Sequence, residues 1–140
     1  MLDHVSIAVA DLTAAERFYD AVMAALGVAK VGADPLWLGY GARSDATHPD
    51  RSYLSIRLRA DSPPDDGRHW CFKAGNRAAV DAFWRAGLEA GGLDEGRPGL
   101  RPHYHADYYA AFLRDPDGNR VEAVCHLATA PSRAVSRWSS

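Results

Sequence analysis

Apolar and polar residues alternate over positions 4–9, with Val5, Ile7 and Val9 on one side and His4, Ser6 and Ala8 on the other, the two-residue period of a strand with one buried face. The period then lengthens. Leu12, Ala15, Phe18, Tyr19, Val22, Met23 and Leu26 fall on one stripe of a helix over 12–26, opened by Asp11 as N-cap and closed by Gly27. Strand-like runs follow at Pro35 to Tyr40 and Tyr53 to Leu58, separated by a polar loop over 42–51. The stretch Ala60-Asp61-Ser62-Pro63-Pro64-Asp65-Asp66-Gly67 has almost nothing to bury and is expected to link two halves. Beyond it the pattern predicts a strand over 69–74, a helix over about 77–91 and a Gly/Pro-rich loop from Gly91 to Pro102. A closing hairpin runs from Tyr108 to Leu113, turns at Asp115-Pro116-Asp117-Gly118-Asn119 and returns from Arg120 to His126. The Ser/Arg/Ala-rich tail over 129–140 is expected to be loose.

The second half repeats landmarks of the first. His4 is followed by Asp11, Phe18, Tyr19 and Gly27, and His69 by Asn76, Phe83, Trp84 and Gly92, so an offset of 65 maps one series on the other (69 − 4 = 65). Two copies of a unit with a histidine on its first strand, packed about a pseudo-twofold axis, would bring both imidazoles into one cavity. Alternation sends Val5, Ile7 and Val9 toward the helices and leaves His4 on the opposite face, with Trp70 likewise turned to the helices beside His69.

At 140 residues the chain suits one domain over 1–128, with one module at about 1–60 and another at about 67–128. A net charge of −2 and a pI near 6.3 give no long-range attraction to nucleic acid or an anionic membrane. No run approaches the ~20 apolar residues of a membrane span, and Met1-Leu2-Asp3-His4, neither basic nor apolar, leads us to expect no secretory signal. Cys71 and Cys125 offer neither a disulfide framework nor a zinc CxxC, which points to buried free thiols and a cytoplasmic protein.

A first strand opening with His4, a helix with Phe18-Tyr19, a strand of the form His69-x-x-Phe72 and the hairpin Asp115-Pro-Asp-Gly-Asn-Arg-Val-Glu122 together resemble the vicinal-oxygen-chelate superfamily, the glyoxalase, bleomycin-resistance and extradiol-dioxygenase group. The resemblance implies an α+β fold of two tandem βαβββ modules forming a half-open, U-shaped mixed sheet around a metal-centred cavity, commonly in a homodimer. It implies His4, His69 and Glu122 as ligands of a divalent ion, Fe, Mn, Ni, Co or Zn. The residues agree with this set. Glu122 shares its strand face with Arg120, Val124 and His126, and a carboxylate flanked by Val121 and Ala123 would be costly to bury without a compensating cation or donor.

Two departures bear on the reaction. Glyoxalase I carries a further acid in the last strand of the first half, whereas the offset from Glu122 leads to Arg57 and the run 53–58 holds no acid (122 − 65 = 57). Extradiol dioxygenases carry a tyrosine three residues before the hairpin turn, where this chain has Phe112. The stretch His103-Tyr104-His105-Ala106-Asp107-Tyr108-Tyr109 could instead supply acid–base groups, with His105 and Tyr109 as the catalytic candidates and packing at the cavity mouth as the alternative. His126 is expected at the rim and His48 in solvent. Arg57, Arg59, Arg101 and Arg120 could meet an anionic substrate or simply be solvated. The expectation is a divalent-metal-dependent, glyoxalase- or dioxygenase-like enzyme (lyase/isomerase or oxidoreductase) acting on a small substrate with vicinal oxygens. The competing one is a metal-free, ligand-sequestering protein of the bleomycin-resistance type.

Overall fold

The computed structural model describes residues 1–61 and 63–129. The chain runs β1 (His4–Val9), α1 (Leu12–Ala25), β2 (Lys30–Asp34), β3 (Trp37–Gly41) and β4 (Tyr53–Leu58), then β5 (His69–Lys73), α2 (Arg77–Glu89), β6 (Leu93–Leu100), β7 (Tyr109–Arg114) and β8 (Arg120–Cys125). This is the expected pair of βαβββ modules. Each module forms its own four-stranded sheet, ordered β1-β4-β3-β2 and β5-β8-β7-β6. In both, the first strand lies parallel to the last and the remaining pairs are antiparallel. Both helices start where the N-caps place them: Asp11 accepts from Ala14 N–H at 3.0 Å and Asn76 from Ala79 N–H at 2.8 Å.

Two edge strands depart from the sequence reading. The segment over 91–102, expected as an irregular loop, contains β6, and β2 occupies residues with no strand-like pattern. Both border their sheets, and the β6–β7 register shifts on either side of Gly96, which accommodates Pro98. An edge strand needs only one partner and one buried face, so Gly and Pro are tolerated there and alternation is weak. Pro35 and Leu36, expected at the start of a strand, turn the chain between Asp34 and Trp37.

Register also corrects the duplication. Ser55 lies opposite Ser6, and Glu122 opposite Cys71. Because Ser6 and Cys71 are equivalent at the offset of 65, the counterpart of Glu122 is Ser55, at an offset of 67 (122 − 55), and not Arg57. The connections between the helix and the last strand are two residues longer in the second half.

One core joins the modules, drawing on Ile7, Val9, Phe18, Tyr19, Val22, Leu38, Ile56, Val80, Phe83, Leu113 and Val121. Helices α1 and α2 pack on each other across it. Gly87 permits that approach, because a Cβ there would stand 2.3 Å from Leu113 and 3.1 Å from Val22. The hairpin turn of the second module is tied into the first: Tyr19 donates its hydroxyl to buried Asp115 at 2.7 Å, and Asn119 Nδ2 donates to the Ala8 carbonyl at 3.1 Å. Among the described residues no helix is long and apolar enough to cross a membrane. The tail beyond Thr129 lies outside the described residues.

Candidate metal centre

Glu122 is 2 % exposed, although it sits in a strand whose other face, Val121, Ala123 and Cys125, belongs to the core. Its two oxygens are both engaged. Oε2 lies 3.4 Å from His69 Nε2, and Oε1 accepts a hydrogen bond from the Tyr108 hydroxyl at 2.6 Å. A carboxylate taken out of water requires such partners. Burial, followed by the hydrogen bond to Glu122, raises the Tyr108 phenol well above its ordinary value, so it stays a donor at neutral pH.

Tyr108 is a candidate site residue that the sequence reading passed over, marked by its bond to Glu122. It precedes β7 by one residue and shares the parity of Ala110 and Phe112, and Phe112 lies opposite Glu122. Strand parity applied to the His103–Tyr109 stretch points to Tyr108 rather than Tyr109. Tyr109 faces the other way, donating its hydroxyl to Asp81 on α2 at 2.6 Å beneath the Arg77 guanidinium.

His105 is committed at both nitrogens. Its Nδ1 accepts from the Asp107 N–H at 3.1 Å, which leaves Nε2 as the donor toward His126 Nδ1 at 2.9 Å. The His105 and His126 rings stack and both stand edge-on to Tyr108, with Tyr104 tilted against the same ring. Together they hold the phenol on Glu122. Arg101 lies over Phe112 and donates to the Arg97 carbonyl, while Arg120 donates to that of Asp66.

His4 stands apart from this pair. Its Nδ1 is 2.8 Å from Asp3, and its ring stacks on Tyr53 with centroids 5.4 Å apart. It opens onto a cavity of about 540 Å³ shared with Trp70, Cys71, Phe72 and Lys73, and Ser6 to Ala8 share a separate pocket with Arg68 and Trp70. Among the described residues no three His, Cys, Asp or Glu side chains are gathered closely enough to hold a metal ion. At the counterpart of Glu122 in the first sheet, Ser55 Oγ accepts from the Trp37 indole N–H at 2.6 Å.

Tandem modules, histidines opening both first strands and a buried acid in the last strand coincide with a family match over residues 1–123, described as the Glyoxalase/Bleomycin resistance protein/Dioxygenase superfamily. The chain belongs to that superfamily. A glyoxalase/bleomycin resistance protein from Albidiferax ferrireducens is 32 % identical and has a TM-score of 0.75, the match covering 89 % of this chain and 98 % of that one. A glyoxalase/bleomycin resistance protein/dioxygenase family enzyme from Burkholderia phytofirmans (21 % identity, TM-score 0.64, 89 % and 98 % covered) shares the fold. So does lactoylglutathione lyase from Agrobacterium tumefaciens (23 % identity, TM-score 0.61, 89 % and 92 % covered). No curated protein matches this chain. In this superfamily member the two halves of the duplicated site are chemically unequal, an imidazole–carboxylate–phenol group in one sheet and an indole on a serine in the other.

Proposed function

We propose that this protein is a cytoplasmic, divalent-metal-dependent enzyme of glyoxalase or dioxygenase type, a lyase/isomerase or an oxidoreductase, acting on a small substrate with vicinal oxygens. The observation that carries the reading is the buried Glu122 carboxylate facing His69 Nε2. An imidazole and a carboxylate are a donor set that suits Fe, Mn, Ni, Co or Zn. His4 fits as the third ligand. Asp3 occupies its Nδ1, the arrangement that orients a ligating histidine and leaves Nε2 for the metal. Since the described residues of one chain do not gather His4 with His69 and Glu122, we assign it to the His69–Glu122 pair of a second copy in a twofold homodimer, across the free edges of β1 and β5.

When bound, the cation would supply Lewis-acid stabilisation of an enolate or oxyanion on the substrate. The chain's own groups prepare the site. Tyr108 fixes Glu122 Oε1 and so directs Oε2 toward His69; the His105–His126 pair braces Tyr108; Phe112 lies opposite Glu122 in the sheet. Under this proposal His105 acts by positioning Tyr108, and Tyr109 braces β7 on α2.

Metal analysis of protein purified without chelator or affinity nickel tests the reading, together with mixing of two variants. His4→Ala and His69→Ala homodimers should each be empty. A mixed dimer holds one intact and one doubly damaged site, so random reassortment should restore about a quarter of wild-type occupancy. Failure of mixing to restore metal removes the shared site; a wild-type protein that takes up no divalent ion removes the metalloenzyme. The second reading, metal-free sequestration of a ligand, would then stand, favoured by the indole that fills the counterpart of Glu122.

A further inference from the structure

The open face of the first sheet carries a transverse row of residues with almost no side chain: Gly32, Gly39, Ser55 and Ser6, set side by side by the register of β2, β3, β4 and β1. The Trp37 indole folds flat over this row. A Cβ on Gly39 would stand 2.3 Å from the ring and one on Gly32 2.5 Å, so the indole lies where only glycines leave room for it. Its N–H is spent on Ser55.

On this platform rests Arg43. Its guanidinium carbon lies 5.6 Å from the centroid of the Trp37 ring and 4.9 Å from that of Tyr53, and Tyr53 also carries His4. The ring faces hold the flat of the guanidinium and leave its N–H edge free. The nearby carboxylates are used elsewhere: Asp3 bonds His4, and Asp45 bonds His48 and pairs with Arg51 at 3.8 Å. Among the described residues Arg43 has no acidic partner and no hydrogen-bond acceptor. An exposed guanidinium held flat on two rings and without an acidic partner keeps its N–H edge open to an anion from outside the chain. Tyr53 also lines the 540 Å³ cavity, together with Leu2, Val5, Trp70, Phe72 and Lys73.

We propose that Arg43 is an anion-recognition residue and that its ligand is a small carboxylate with a flat, apolar body. The carboxylate meets the Arg43 fork, and the body follows Tyr53 into the apolar cavity. The inference goes beyond the metalloenzyme reading and uses none of its metal: Arg43, Trp37 and Tyr53 lie in one chain, and the cavity borders the β1 and β5 edges at which that reading pairs two copies. A neutral ring would gain nothing from the fork. Phosphate would meet the charge but leave the apolar walls in water.

The test is an NMR titration of the full-length, EDTA-treated protein with benzoate, benzamide and inorganic phosphate, following the Trp37 indole N–H, assigned through Trp37→Phe. Benzoate should shift that resonance saturably, and benzamide and phosphate should not. Arg43→Gln should weaken benzoate binding about 10- to 100-fold, as expected for loss of a charge-assisted pair, with Arg43→Lys in between. Arg43 is exposed, and an unchanged melting temperature shows that its variants are folded. Equal binding of benzamide or of phosphate would overturn the proposal, as would benzoate binding that survives Arg43→Gln. A wild-type protein that takes up no divalent ion would sink the metalloenzyme reading and leave this one standing.

Discussion

Cys71 reports the electrostatics of the Glu122 pair directly. It lies opposite Glu122 in the β5–β8 register, and although the residue as a whole is exposed, its sulfur lies against Glu122 and Tyr108. Burial first, and then the Glu122 charge, push the thiol up to about 12. Against an ordinary cysteine near 8.5, the thiolate at pH 8 is scarcer by about two-thousandfold. A more basic thiolate is also a stronger nucleophile, which returns about 25- to 55-fold, so alkylation should run roughly 50-fold slower than at an ordinary exposed cysteine. Replacing Glu122 by Gln preserves shape and removes the charge while burial remains, and should speed the reaction by at least about tenfold. The assay is iodoacetamide labelling of metal-free protein, read by mass spectrometry at Cys71, with buried Cys125 as the inert internal control. Ordinary labelling in the wild type, or no acceleration in Glu122→Gln, would refute the placement of a charged carboxylate beside this sulfur.

Tyr19→Phe removes the hydroxyl that bonds buried Asp115 across the modules, and should cost about 1–3 kcal/mol in urea unfolding; an unchanged midpoint would mean that the turn is held without it. Tyr109→Phe should lower stability by about 1 kcal/mol through loss of the Asp81 bond while leaving turnover and metal content unchanged, and a large loss of turnover would restore Tyr109 as a catalytic group. The Asp94 carboxyl is held below its ordinary value by the Trp84 indole N–H first and the Gly96 N–H next. Its stabilising contribution is therefore present above the unfolded value of about 3.9 and lost as pH falls through the lowered folded one, so Asp94→Asn should flatten the acid limb of a stability–pH curve; an unaltered limb would contradict this.

Much of this architecture was legible in strings of residues. The alternation of His4–Val9, the stripe from Leu12 to Leu26 and the caps Asp11 and Asn76 are local signals, and each element formed where they lie. The strands missed, β2 and β6, sit at sheet edges, where one-sided pairing relaxes alternation and admits Gly96, Pro98 and Gly99. Parity in β8 placed Glu122 on the face away from the core, and the repeat of His4 by His69 marked the duplication.

Other features depend on contacts between residues far apart in the chain. Ser55, not Arg57, is the counterpart of Glu122, because connections of unequal length shift the last strand by two residues while leaving the first strand and helix in step. The choice of Tyr108 over Tyr109 follows from which strand face meets Glu122. Within one chain the described residues do not gather His4 with His69 and Glu122, although the repeat makes the two histidines equivalent. Sequence by itself determined the modules, their caps and the chemical types of the candidate ligands, since periodicity and local hydrogen bonding act over a few residues. Tertiary structure alone decided which of those groups meet, since register, loop length and the packing of one sheet beside another set distances that no local pattern encodes.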